Sequence, residues 1–323
     1  MPQLTRRALI AGAAVAPFAA RAETWPSGVI RLVAPFPPGG SVDAIARLAQ
    51  AGLQQRLGTS VIVENRTGGS GSIGAAAVAK SPPDGHTWLF VFDTHAVNPT
   101  LIPNLPFDSD KDLDPVLLIG TAPNVLATHP SRPYKTIGDV IEAAKVKPNS
   151  INYATVGAGS LGHLTMVLLS KKAGVQLVHV PYRGGGPAMN DAIAGHVDLI
   201  IGSTALIIPQ VQAGLLRPIV QTGLTRQGSL SQVPTANESG FPGFESNAWW
   251  GVFAPAGTPK PIAERFRAEL VAALKEERIA KQLTETQQVN LTLGGPEELR
   301  KFFQDQVRIW GAVVRENNIR PDT

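Results

Sequence analysis

Cysteine is absent from the 323 residues, and that one absence excludes disulfides, thiolate zinc sites and cysteine nucleophiles together. Long apolar runs are also scarce: beyond the first 22 residues no stretch approaches the ~20 apolar residues of a membrane span. No basic run is interleaved with aromatics, as tracking a nucleic-acid backbone would require. No histidine or carboxylate pair has ligand spacing such as H-x-x-x-H. The formal charge of +4 rests largely on Arg6, Arg7 and Arg21, without which 29 basic residues become 26 against 25 acidic ones. The expectation is therefore a chain without metal, cofactor or nucleic-acid partner.

What is present begins with a leader. Thr5-Arg6-Arg7 precedes an uncharged, alanine-rich run from Ala8 to Ala20, and Ala20-Arg21-Ala22 has the A-x-A form of a cleavage site. Residues 1–22 thus read as a signal peptide, with a mature chain starting at Glu23 outside the cytoplasm. The paired arginines fit twin-arginine and general secretory export alike. Without disulfides, the exported chain stabilises itself by burial. Its 43% hydrophobic residues, over roughly 300 positions, are enough for one large or two medium domains.

The organising stretch is Ile30–Leu57. An apolar run over Ile30–Phe36 stops at Pro37-Pro38-Gly39-Gly40. Ser41 then precedes Val42, Ile45, Ala46, Ala49, Leu53 and Leu57 at helical spacing. Strand, glycine turn and helix place free N–H groups of Gly39, Gly40 and Ser41 at the positive end of a helix dipole, an anion site. The unit recurs: a strand over Ser150–Thr155 leads to Gly157-Ala158-Gly159-Ser160-Leu161-Gly162-His163 and a helix that closes at Gly174.

Between and after these units, strands are expected at Ser60–Glu64, Trp88–Phe92, Pro115–Gly120 with Val125–Thr128, Gln176–Val180, Val197–Ile201, Leu216–Thr222 and Trp249–Ala254. Helices are expected at Ile73–Lys80, Tyr134–Lys145, Pro187–Ala194, Leu206–Ala213, Pro259–Glu276 and Pro296–Glu316. Thr94 and His95 fall in a loop at the carboxyl end of a strand, where ligands sit in open α/β sheets. The alternation predicts an α/β protein of two lobes, each with a mostly parallel sheet. Residues 23–124 and 222–323 form one lobe and 125–221 the other. The chain crosses twice, near Thr121–Thr128 and Ile219–Leu224, which makes a hinge over a closing cleft.

These residues resemble the Bug-type extracytoplasmic solute receptors, the substrate-binding proteins of tripartite tricarboxylate transporters. The resemblance covers nearly the whole mature chain and is carried by IRLVAPFPPGGSVDAIAR (Ile30–Arg47), VIVENRTGGSGSIGAAAVAKSPPDGHT (Val61–Thr87) and GAGSLGHL (Gly157–Leu164). It is carried also by HVPYRGGGPAMNDAIAGHVDL (His179–Leu199) and WWGVFAPAGTPKP (Trp249–Pro261). It implies a type II periplasmic binding protein, a Venus flytrap that captures a small carboxylate for membrane permease subunits and works in the periplasm as a monomer. By motif position it implies Phe36, Pro38, Gly39, Gly40, Ser41 and Asp43 as one ligand-holding jaw and Ala158, Gly159, Ser160 and His163 as the other. Thr94 and His95 match the family's loop after its third strand, and Trp249 falls on the variable rim that sees the rest of the ligand. Where many members have Phe-Asp or Phe-Asn, this chain has Ile201-Gly202-Ser203. Ser203 joins the ligand-binding candidates, and the ligand's distal group stays open between an aromatic or short monocarboxylate, a dicarboxylate and an amino acid.

Two other classes compete. Ala158-Gly159-Ser160-Leu161-Gly162 approaches the G-x-S-x-G nucleophile elbow with Ala at the first position, but a hydrolase of that kind needs an acid and then a histidine downstream. After Ser160 only His163, His179 and His196 remain, and the pair Asp191 and His196 is too local to build a triad. No catalytic residue is expected. A sensor that signals to a membrane partner has the same sequence features as a transport receptor.

Overall fold

The computed structural model describes residues 25–321. The leader and its cleavage after Ala22 lie outside the described residues. β1 (Ile30–Ala34) ends before the Pro37-Pro38 turn, and α1 (Ser41–Leu57) starts at Ser41 with its apolar positions buried, as the spacing requires. Gly58 closes α1 in the left-handed region at φ 64°. β2 (Val61–Asn65) follows, then α2 (Ser72–Ala79) and β3 (Thr87–Phe92), and β1 pairs in parallel with both β2 and β3. The segment expected as a loop after β3 is a helix, α3 (Thr94–Leu101). Pro99 lies inside it, and a proline at that point argues against a helix from sequence alone.

One 16-residue strand, β4 (Leu113–Thr128), replaces the two short runs expected there. α4 (Ile137–Val146) begins three residues later than expected because Thr136 and Asp139 form a reciprocal capping box. The second lobe continues through β5 (Asn152–Thr155), α5 (Leu161–Ala173), β6 (Val178–Pro181), α6 (Gly185–Ile193), β7 (Leu199–Ser203), α7 (Thr204–Gln212) and β8 (Arg217–Gln221). After an irregular stretch come β9 (Asn247–Pro255), α8 (Lys260–Leu274), α9 (Glu277–Lys281), β10 (Asn290–Gly294) and α10 (Pro296–Glu316).

The sheet order is β2-β1-β3-β9-β4-β7-β5-β6, with β8 and β10 also on β4. It is mixed rather than mostly parallel. The wings β2-β1-β3 and β7-β5-β6 are parallel, whereas β3-β9, β9-β4 and β4-β7 are antiparallel. The cause is β4 itself, which pairs with β9 over Leu113–Pro123 and with β7 over Asn124–Thr128, and so runs unbroken through both lobes.

Each lobe has its own core. Trp88 stacks on Phe266 at 3.7 Å in the first lobe, whose apolar clusters join β1, β3, β9, α1, α8 and α10. In the second, Leu126, Tyr153, Leu199 and Ile201 pack with Phe241 and Phe244. The irregular stretch that holds Ala236, Phe241 and Phe244 therefore packs on the second lobe, not on the first as the break at 222 implied. Its aromatics bury against that core, and the chain crosses back at Ser246–Asn247, where β9 begins.

Candidate functional site

The turn before α1 is built by its own side chains. Gly39 stands at φ +85°, where a side chain would be strained, while Gly40 has an ordinary extended φ of −83°. The N–H of Gly39 is donated to Asp43 Oδ2 at 3.1 Å, so it is spent on the loop and not on a ligand. Asp43 also accepts from Arg47 and, at 2.9 Å, from Asn65 Nδ2, whose second acceptor is the carbonyl of Phe36. Burial raises the Asp43 pKa, but the hydrogen bonds from Arg47, Asn65 and Gly39 outweigh it and hold the carboxyl below its ordinary value. Asp43 is thus a permanent anion that shapes the loop. Ser41 is different: its oxygen accepts from Trp250 Nε1 at 3.2 Å, which leaves its own O–H to be donated elsewhere.

Facing this turn is the glycine run that opens α6. A Cβ on Gly184 would sit 2.6 Å from Pro37 Cδ, one on Gly186 2.6 Å from Pro38 O, and one on Gly185 3.3 Å from Gly40 Cα. The two lobes meet here backbone to backbone, through a seam that only glycine permits. Beside the seam lies a cleft whose interior is only about 20 Å³ as the lobes stand here, within a space of about 400 Å³ that includes its open mouth, so a ligand enters as the lobes part. Phe36, Gly40, Ser41 and Ser203 line it, and the first turns of α1, α5, α6 and α7 all contribute to its wall. Helix N-termini carry partial positive charge and unpaired N–H groups, so this wall favours a negative group. Ser203, only 1% exposed, is the N-cap of α7, yet its side chain makes no cap bond and its Oγ has no partner among the described residues.

The second glycine turn fares otherwise. Ser160 is fully buried, its O–H donates to the carbonyl of Gly157 at 2.8 Å, and its oxygen accepts from His163 N. His163 Nδ1 accepts from Gly159 N, and its ring stacks at 3.8 Å on His179. The hydroxyl of Ser160 is therefore committed to capping α5, which removes the geometry of a nucleophile. The first N–H of that helix, on Leu161, is donated to Asp93 Oδ1 of the first lobe at 3.2 Å, while Ser70 Oγ of the first lobe donates to Ala158 O at 3.0 Å. A carboxyl group of the protein itself occupies the anion position that the turn offers. Burial pushes the pKa of Asp93 up to about 8, against the lowering effect of the N–H groups of Leu161 and Thr94.

Three further candidates, Thr94, His95 and Trp249, lie away from the cleft. His95 packs its ring among Phe107, Phe253 and Phe303, with centroids 5.2 to 6.0 Å away, and burial depresses its pKa to about 3. With Thr94 it borders a small void under Ser70 and Asn98, behind Phe36. Trp249 is fully buried against Phe302 and Phe303 on the α10 side of the sheet. Successive side chains of a strand point to opposite faces, so it is Trp250 that reaches the site, by holding Ser41. Pro38 contributes through its carbonyl at the seam.

Sequence reasoning missed Phe92, Asn124, Gly185 and Leu206 among the residues lining the cleft. Gly184-Gly185-Gly186 carried the same signal as the other two turns, glycine before a helix, and could have been weighed with them. Asn124, by contrast, lies inside a strand and had no distinguishing pattern.

Comparison with known proteins places the fold. The chain is 38% identical over 322 residues, 98% of this chain and 96% of the other, to the UPF0065 protein in the tcbD-tcbE intergenic region of Pseudomonas sp. strain P51. It superposes with a TM-score of 0.87 on R. palustris Rpa4515 with adipate, at 33% identity, covering 92% of this chain and all of that one. The periplasmic binding protein BugD gives the same TM-score at 30% identity, again covering 92% and 100%. These likenesses and the crossed mixed sheet make this a two-lobed type II binding protein, a receptor and not an enzyme. Since residues 45–319 match the tripartite tricarboxylate transporter family receptors, the chain belongs to that family.

Proposed function

We propose that this chain is an extracytoplasmic receptor that closes on a small carboxylate and delivers it, as a monomer, to the membrane permease subunits of a tripartite transporter. The observation that carries this reading is the interlobe cleft, where four helix starts and the partnerless Ser203 Oγ converge and no acidic side chain lines the wall. The adipate in the related Rpa4515 structure supports the ligand class. Phe36, Gly40, Ser41 and Ser203 contact the ligand in this reading. Pro38, Gly39 and Asp43 shape the first turn, and Ala158, Gly159, Ser160 and His163 shape the second.

Export with cleavage after Ala22 follows from the leader, and intact-mass measurement on periplasmic material should give a chain starting at Glu23. Receptors of this family are periplasmic, and among the described residues no helix is long and apolar enough to cross a membrane. The test of capture is a thermal-shift screen of the mature chain against small carboxylates, because a ligand that binds only the folded state raises Tm by mass action. A rise with at least one carboxylate, together with its recovery unchanged, is expected. No rise with any, or turnover that disappears in Ser160→Ala, would sink the reading.

A further inference from the structure

We infer that the cleft is built for a monocarboxylate with an apolar body, such as an aryl or branched aliphatic acid, and discriminates against a second charged group. This rests on the receptor reading above and narrows its ligand class. None of the residues lining the cleft is Asp, Glu, Lys, Arg or His. Its walls are Phe36, Val42, Phe92, Ile201 and Leu206, all buried, with Phe36 and Phe92 edge to face at 6.1 Å. A carboxylate desolvated against such walls is costly unless hydrogen bonds satisfy its oxygens.

The donors fit one such group. Ser203 Oγ is buried without a partner at the start of the nine-residue α7, and an N-cap serine ordinarily bonds the next turn of its own helix. Its hydroxyl thus lies on the cleft wall with a hydrogen bond still to make, beside a helix start whose first N–H groups have no intrahelical partner. Across the cleft, Ser41 has its oxygen fixed by Trp250 and its O–H to give. Asn124, the remaining polar lining residue besides these serines, already directs its Nδ2 toward Ser246 at 3.4 Å.

The rest of the wall is completed by Leu206. A Cβ on Gly202 would come within 2.9 Å of Leu206 Cδ2, and one on Gly185 within 3.0 Å of its Cδ1, so the two glycines admit this side chain and the apolar surface it presents. Arg183, the cation that borders the wider outer hollow lined by residues 67–73, is exposed, so a second carboxylate placed there would keep its water.

The experiment is calorimetry and thermal shift on the mature chain with benzoate, adipate and benzamide, and on Ser203→Ala and Arg183→Ala. Benzoate should bind at least about tenfold more tightly than adipate, and benzamide, the neutral isostere, should not bind measurably. Ser203→Ala should weaken benzoate about tenfold, while Arg183→Ala should leave it unchanged. Circular dichroism confirms that both variants fold. Adipate binding more tightly than benzoate, and losing that advantage in Arg183→Ala, overturns the inference and leaves the receptor standing. Benzamide binding as well as benzoate overturns the anionic requirement, and silence from a wider carboxylate panel overturns both readings.

Discussion

The two glycine turns of this protein look alike in sequence and end differently. Pro37–Ser41 opens α1 with a hydroxyl still able to donate, on the wall of the cleft. Gly157–Ser160 opens α5 with its serine bonded to its own loop and its first helical N–H taken by Asp93 of the opposite lobe. A glycine turn before a helix creates a positive end, and what fills that end is decided by residues far away in sequence. At the second turn the answer is a side chain 68 positions upstream. We therefore read the first turn, with α7, as the ligand's site and the second as a latch between the lobes.

The largest effect should come from the seam that lets the lobes close. Gly186→Val places a Cβ about where Pro38 O already lies, at 2.6 Å, without demanding a new backbone conformation in α6. Each lobe should fold, but closure should fail. The affinity for whichever carboxylate binds the parent best should fall on the order of 100-fold, ~2.7 kcal/mol. Small-angle scattering should show no compaction on ligand addition, and compaction like the parent's would mean that the seam is not part of the closing contact.

Acidity tests the latch corner next, because Asp93 and His95 stand two residues apart and shift in opposite directions. Burial depresses His95 from 6.5 to about 3, so the unfolded chain takes up a proton there before the folded one does. Its contribution is whole above pH 6.5 and is lost as pH falls toward 3. Asp93, raised from 3.8 to about 8, behaves inversely: its contribution is whole below about 3.8 and is lost as pH rises through 8. His179, depressed to about 4 by burial, adds to the acid limb. Tm should therefore peak near pH 6.5. At pH 5 His95→Phe, which continues the surrounding aromatic packing, should be spared about 2 kcal/mol of the parent's loss relative to pH 7. Parallel profiles for parent and variant would place His95 in solvent, as a ligand-facing residue would be.

Much of this architecture was legible beforehand, and the failures share a cause. The βα units at Ile30–Leu57 and Ser150–Gly174 follow from periods of two and 3.6 and from glycine punctuation, which are local properties. The alternation of strands and helices predicted the two lobes, and the family motifs pointed the same way. The direction of neighbouring strands at the centre of the sheet is not local, and neither is the face of β9 that meets α1. Hence the antiparallel centre, and the exchange of Trp249 for Trp250, appeared only in three dimensions. Irregular residues 225–246 gave no period to read, and the burial of Ala236, Phe241 and Phe244, with the bond from Ala236 N–H to Gln221 O, assigns them to the second lobe.

The latch itself is a smaller matter than the seam, since it is one hydrogen bond. Asp93→Ala leaves Leu161 N–H without its interlobe acceptor and should weaken ligand binding about tenfold, the scale of a bond to a carboxyl group. Asp93→Asn keeps a carbonyl oxygen in the same place. Because burial favours the uncharged carboxyl, Asn should bind within about threefold of the parent at pH 7 and lose the fall in Tm between pH 6.5 and 8. If Ala and Asn weaken binding equally, charge and not geometry holds the lobes together at this point.

The smallest effect separates the two serines directly. Ser160→Ala removes a hydroxyl that caps α5 and touches only its own loop, so stability should fall by ~1 kcal/mol while affinity stays within about twofold. Ser41→Ala removes the acceptor of Trp250 Nε1 as well as a donor to the cleft, so it should lower stability by a similar ~1 kcal/mol and also weaken binding about fivefold. Chemical denaturation gives the first quantity and calorimetry the second, on the same preparations. The diagnostic is the ratio between them: a loss of affinity in Ser160→Ala equal to that in Ser41→Ala would return the second turn to the ligand and make Asp93 a stand-in that the ligand displaces.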